Sequence, residues 1–238
     1  MSDVAIITGG TGSIGAAICE VLSSQGWTCV AADLVEPPPG TLPWEFEHVD
    51  VSSTASVDTL IGRASSLGKI RALVNAHGIL RETLWNDESD ENVEAILDVN
   101  LKGVFRVTRA VAMMMADGGS IVNLSSVTAT MGRTRNAYVY QATKAGIESF
   151  TRTMAIELAP RVIRVNCVAP GYLSEPMRGE GAALRAQQGG NEALAQLTPF
   201  SRLVTPMEVA TAIGFLCSPS ASGISGVVLP VDGGQRAY

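Results

Sequence analysis

Val4-Ala5-Ile6-Ile7-Thr8-Gly9-Gly10-Thr11-Gly12-Ser13-Ile14-Gly15 is an apolar run that breaks into glycines and then into a helical pattern. Val4–Thr8 predicts a strand buried on both faces. Beyond the glycines, Ile14, Ala17, Ile18, Val21 and Leu22 repeat at helical spacing, and Gly26 supplies the stop. Glycines at such a strand–turn–helix junction let the backbone turn sharply and approach a ligand closely. The helix start offers unpaired N–H groups and the positive end of a dipole. Together these features predict a pyrophosphate site of the dinucleotide-binding kind.

The same alternation continues outward. Trp27–Asp33, Ala72–Ala76, Ser120–Ser125, Val162–Val168 and Gly226–Val231 read as further strands. Helices are expected near Ser53–Leu67, Glu91–Ala116, Tyr138–Ala159 and Pro206–Cys217. Strands alternating with helices imply βαβ units and a parallel sheet. One link departs from this pattern. Between Asp33 and Asp50 lie Pro37, Pro38, Pro39 and Pro43, which predict an extended, non-helical crossover. With no internal repeat or linker, residues 1–238 read as a single domain.

Composition narrows the function classes. Hydrophobic residues make up 46% and charged residues 17% of 238, as in a well-buried globular chain. A net charge of −6 argues against nucleic acid or an anionic membrane as partner. No run reaches the ~18 apolar residues of a membrane span, and the N-terminus lacks a signal-peptide pattern. Cys19, Cys29, Cys167 and Cys217 have no metal-type spacing, so reduced thiols, no metal site and a cytoplasmic location are expected.

Two further features point to chemistry. Asp33 ends the second strand, where a carboxylate accepts from both ribose hydroxyls of NAD and repels the 2′-phosphate of NADP. The glycine loop holds no Arg or Lys to neutralise that phosphate, so NAD is the expected cofactor. Tyr140 and Lys144 lie four residues apart and share a helix face. An ammonium fixed there is expected to lower the phenol pKa and make Tyr140 a proton-transfer group.

With these residues in order, the chain resembles the short-chain dehydrogenase/reductase family over essentially its whole length. The matching segments are the glycine loop, Asp33, Asp50-Val51, Asn75-Ala76-His77-Gly78, Val99-Asn100-Leu101, Asn123-Leu124-Ser125-Ser126, Tyr140 to Lys144, Pro170-Gly171 and Val231-Asp232-Gly233-Gly234. The resemblance implies an α/β, Rossmann-type doubly wound parallel sheet with helices on both faces. It implies hydride exchange between nicotinamide and a secondary alcohol or ketone.

Carried over by position, Ser126 bonds the substrate oxygen, Tyr140 exchanges its proton, and Lys144 holds the nicotinamide ribose. Asn100 anchors a water in a proton relay. Ser125 is the rival of Ser126, although the family usually employs the second serine of such a pair. Gly9, Thr11, Ser13, Ile14 and Gly15 would surround the pyrophosphate. Asp50 and Val51 would meet the adenine, with Asn75, Ala76 and Gly78 on the adenine-ribose side. Pro170, Gly171 and Leu173 would face the nicotinamide.

Three departures stand out. Ser13 occupies the usual second-glycine position, His77 replaces a small residue, and Glu175 stands where relatives carry threonine. His77 reads as a packed ring rather than a catalyst. Segment 171–205 reads as a substrate lid in which Leu184, Leu194, Leu197, Arg178, Arg185 and Gln188 suit a small, partly polar molecule. Arg133 and Arg135 are candidates for a carboxylate, against the plainer reading of solvated loop arginines.

The proline-rich crossover, the Asn75 to Arg81 stretch and the NAD preference are similar to dihydroxycyclohexadiene-carboxylate dehydrogenases and cytosolic 3-hydroxybutyrate dehydrogenases. A small polar, cyclic or hydroxy-acid substrate is therefore expected. Reduction of 3-oxoacyl thioesters is the rival enzymatic reading. A catalytically silent NAD-binding scaffold or redox sensor is the rival from another class, and intact Ser126, Tyr140, Lys144 and Asn100 argue against it. A ligand-free structural subunit leaves the glycine loop without explanation. The resemblance also implies a homo-oligomer, usually a tetramer, with helices near 91–116 and 138–159 at one interface.

Overall fold

The computed structural model describes residues 2–38, 40–81, 83–132, 136–175 and 190–237. Seven strands form one fully parallel sheet: β1 Ser2–Thr8, β2 Thr28–Asp33, β3 Glu45–His48, β4 Gly68–Asn75, β5 Ser120–Leu124, β6 Arg164–Pro170 and β7 Val228–Val231. Their spatial order is β3-β2-β1-β4-β5-β6-β7, which reverses direction at β1. That reversal opens a crevice at the carboxyl ends of β1 and β4, where such sheets bind ligands.

The helices are α1 Ser13–Ser24, α2 Thr54–Leu67, α3 Asp90–Leu97, α4 Gly103–Met114, α5 Tyr138–Glu157, α6 Gly190–Ala195 and α7 Pro206–Cys217. The alternation of side chains along β1 divides the core in two. Ala5 and Ile7 face a layer with Ile18 and Leu22 of α1 and Ile213 and Leu216 of α7. Val4 and Ile6 face Val57 and Leu60 of α2 and Val107 and Val111 of α4. Each Val, Leu or Ile among them contributes about 1.5–3 kcal/mol when fully buried, so both faces of the sheet are strongly held.

Several expected boundaries shift for local reasons. The helix expected over Glu91–Ala116 is divided by a π-turn at Asp98–Lys102, in which Gly103 N–H donates to the Asp98 carbonyl. Val162, placed in a strand by its apolar neighbours, has a left-handed φ of 56° and is exposed; β6 starts at Arg164. The crossover after Asp33 holds no helix among its described residues, as its prolines require, but it closes with β3 as an additional edge strand. Short α6 was not read from the sequence.

Candidate active site

At the end of β1 the backbone can follow its path only with glycines. Gly9 has φ +68°, and a Cβ there would lie 2.8 Å from Ala76 and His77 backbone atoms. A Cβ on Gly15 would collide with the Gly9 carbonyl. Gly12 N–H donates to that carbonyl at 3.1 Å, and Gly12 then caps α1 without any side-chain hydrogen bond. The helix begins at Ser13, so the serine in the unusual loop position is its first residue. Ser53, Ser89 and Thr205 cap α2, α3 and α7 through side chains, whereas α1 presents its first-turn amides uncapped. A pyrophosphate fits this start without competing with an internal acceptor.

Asp33 stands beside the loop. Its carboxylate accepts from Thr11 N–H and Val35 N–H, both at 3.0 Å. The charge is thus fixed next to the phosphate turn. Asp50 accepts from the Ser52 hydroxyl at 2.7 Å and Ser52 N–H at 2.8 Å, which together hold its carboxyl below the usual range. Val51 is buried beneath α4.

Asn75 is the last residue of β4. Its amide donates inward to Thr108 at 2.9 Å and to Asn123 at 2.8 Å, and the residue is buried. Its NH2 group thus ties β4 to β5 and α4, whereas its Oδ1 is buried with no hydrogen-bond partner among the described residues. Ala76 supports Gly9 from below.

The first turns of α5 bring Tyr140 and Lys144 together, with Lys144 Nζ 5.4 Å from the Tyr140 ring centroid. Nζ donates to the Leu124 carbonyl at 2.9 Å. The sequence predicted a phenol pKa lowered by this ammonium, and the structure corrects that. Burial pushes Tyr140 up to about 12, opposed by the hydrogen bond from Ser126. Burial also brings Lys144 down to about 8. The ammonium lies against the ring and a carbonyl, so desolvation outweighs any pull on the phenol.

Ser125 and Ser126 point to opposite sides. Ser125 Oγ donates to buried Glu148 at 2.9 Å, which removes it from the cleft. Ser126 follows β5, and its hydroxyl lies on the side of Tyr140, close enough to oppose the rise of the phenol. Thr128 bonds the same Ser126 oxygen at 2.9 Å, a contact the sequence reading missed. The available signal was a hydroxyl residue two places after the serine.

Asn100 occupies the π-turn. Its Oδ1 accepts from Ile79 N–H at 2.8 Å and its amide donates to the Ile79 carbonyl at 2.9 Å. This reciprocal pair pins the segment after β4. A Cβ on Gly78 would come within 3.4 Å of Asn100 Oδ1 and 3.6 Å of Lys144 Nζ, so the three border one gap.

His77 is buried, with Nδ1 2.6 Å from the Thr8 hydroxyl. Its Nε2 faces the Val99 carbonyl region without a well-aligned partner. Burial, aided by nearby Lys144, lowers its pKa to about 3, so the ring is neutral. This is a packed histidine between the glycine turn and the π-turn.

Pro170 ends β6, and Gly171 N–H donates to Val231 at 3.0 Å. Leu173 bridges Val204 in parallel, and Ser174 N–H donates to the Val204 carbonyl at 2.8 Å. These bonds join the two ends of the expected lid at the sheet's edge. Glu175 is exposed there, Leu194 is buried in α6 and Leu197 is exposed. Arg133, Arg135, Arg178, Leu184, Arg185 and Gln188 lie outside the described residues.

The chain is similar to known proteins over its length. A family model described as enoyl-(acyl carrier protein) reductase matches residues 9–236. The chain is 35% identical over 243 residues to 3-oxoacyl-[acyl-carrier-protein] reductase FabG of Thermotoga maritima, covering 97% of this chain and 96% of that one. It is 36% identical over 249 residues to cyclopentanol dehydrogenase of Comamonas testosteroni, covering 98% and 97%. The ligand-free aldohexose dehydrogenase of Thermoplasma acidophilum superposes with a TM-score of 0.91 at 30% identity, covering 100% and 95%. From the sheet order, the glycine turn and these matches together, the chain belongs to the short-chain dehydrogenase/reductase family.

Proposed function

We propose that this oxidoreductase is NAD-dependent and interconverts a secondary alcohol and a ketone on a small polar, cyclic or hydroxy-acid substrate. The observation that carries the reading is Lys144 Nζ 5.4 Å from the Tyr140 ring centroid, with Ser126 beside the same phenol. Bound nicotinamide supplies the hydride acceptor in oxidation and the donor in reduction. The uncapped start of α1, with Ser13, Ile14 and Gly15, would hold its pyrophosphate, and Lys144 its ribose. Asp50, Val51, Asn75, Ala76 and Gly78 would line the adenosine side, with Pro170, Gly171 and Leu173 at the nicotinamide.

In oxidation, deprotonated Tyr140 takes the alcohol proton. In reduction, neutral Tyr140 donates a proton to the oxygen as negative charge develops there. Ser126 donates to that same oxygen, and its bond strengthens as the charge grows, which favours the transition state over the ground state. Asn100 and Lys144 border the gap through which a water would return the proton to solvent.

Asp33 supports NAD, because its fixed carboxylate repels a phosphate on the adenosine ribose. Cyclopentanol and aldohexose, named for two relatives, favour a cyclic alcohol. The second reading, reduction of a 3-oxoacyl thioester, is favoured by the similarity to FabG. The test is a screen of cyclopentanol, aldohexoses, cyclic diols and 3-hydroxybutyrate with NAD and NADP, beside acetoacetyl-CoA with NADH and NADPH. NAD-linked alcohol oxidation that Tyr140→Phe abolishes, with NADH binding retained, is expected. Thioester reduction with NADPH alone would overturn the reading, as would full activity in the Tyr140→Phe protein.

The same reading makes the protein a homo-oligomer, with a tetramer the favoured state. An apolar groove of about 480 Å³ runs between α4 and α5, lined by Phe105, Met113, Phe150 and Met154. A second copy of this face would cover it.

A further inference from the structure

The Ser126 hydroxyl is held from one side by a single residue. Its oxygen accepts from Thr128 N–H at 3.3 Å and lies 2.9 Å from the Thr128 hydroxyl. A serine hydroxyl has two acceptor lone pairs and one proton. If Thr128 donates twice, both lone pairs are occupied and the Ser126 proton is left for an acceptor on the side of Tyr140, which lies beside it. The reverse arrangement would send the serine proton to Thr128 and leave Ser126 no donor for a substrate oxygen.

We propose that Thr128 is a positioning residue that fixes Ser126 as a donor toward Tyr140 and the substrate oxygen. This rests on the dehydrogenase reading above. The chain of donors runs from Thr128 through Ser126 to Tyr140, and each bond polarises the next. Such a chain stabilises negative charge at its end, whether on the phenolate or on the substrate's alkoxide. Thr128 does not itself need to touch substrate. It sits in the short 3-10 turn Val127–Ala129, and Ser126 caps that turn through Thr128 N–H.

Thr128→Val keeps the β-branched shape and the backbone bond while deleting the hydroxyl. Thr128→Ser keeps the hydroxyl and deletes the methyl. The test follows the Tyr140 signal by 19F NMR in protein labelled with 2,3,5-trifluorotyrosine, whose more acidic phenol brings the titration into a range where protein and NAD are stable, and the signal is assigned by its loss in Tyr140→Phe. Titrations are run with and without saturating NAD. Thr128→Val is expected to move Tyr140 ionisation up by about one pH unit, a roughly tenfold effect, with NAD affinity unchanged. Thr128→Ser should return the titration to that of the unaltered protein. An unshifted Thr128→Val titration would overturn the proposal. So would a Thr128→Ser shift as large as that of valine, which would assign the effect to packing. The titration needs no substrate, whereas the dehydrogenase reading stands or falls on turnover in the screen.

Discussion

Tyr140 and Lys144 illustrate how burial competes with a neighbouring charge. Four-residue spacing on a helix places them on one face, which the sequence alone conveys. It does not convey that Nζ is directed to the Leu124 carbonyl or that both groups are desolvated. With Tyr140 at about 12, the phenolate is scarce at neutral pH and increases tenfold with each pH unit. Alcohol oxidation requires the phenolate, so its kcat/KM is expected to rise with pH from about 6 to about 8. Ketone reduction uses the neutral phenol and should stay level over that range. Steady-state pH profiles in both directions check this, and a flat oxidation profile would place the proton transfer elsewhere.

At the scale of elements, the helices differ in how their first amides are met. α7 is closed by a capping box: Thr205 Oγ1 accepts from Glu208 N–H, and Glu208 accepts from Thr205 N–H at 2.9 Å. Arg202 pairs with the same carboxylate, and these bonds hold Glu208 down to about 2. Because the folded value lies below the free value of about 4.3, this stabilisation is present above that pH. It is lost as pH falls toward about 2. Glu208→Ala is expected to cost about 1 kcal/mol, lowering Tm by about 2–4 °C at pH 7. Calorimetry should find the difference narrowing at acid pH; a constant gap would assign it to something other than the carboxylate. By contrast α1 has no side-chain cap, and its open start is where an anion fits.

At the scale of the molecule, the sheet reversal at β1 collects residues from distant parts of the chain into one crevice. The glycine turn, Asp33, Asn100, Ser126 and Tyr140 all follow strand ends or the helices leaving them. On another face, α4 and α5 leave Met113 77% exposed beside Phe105 and Phe150. Exposed apolar area of this kind favours self-association. For the proposed homo-oligomer, Met113→Glu is expected to give smaller species by light scattering at micromolar concentration, because a charge resists burial in an apolar contact. An unchanged mass would place the interface elsewhere. Among the described residues, no helix is long and apolar enough to cross a membrane.

The sequence by itself determined the parallel α/β fold, the glycine turn and the order of its site motifs. Each of these is local: apolar periodicity, glycine freedom, or fixed spacing along one element. It also anticipated the non-helical crossover, since proline acts on its immediate neighbours. Tertiary structure decided what depends on residues far apart in the chain. It turned Ser125 toward Glu148 and Asn75 toward Asn123, clamped Asn100 to Ile79, and placed Thr128 against Ser126. It also reversed the expected shift of Tyr140, because desolvation is set by everything packed around a group and spacing records only one neighbour.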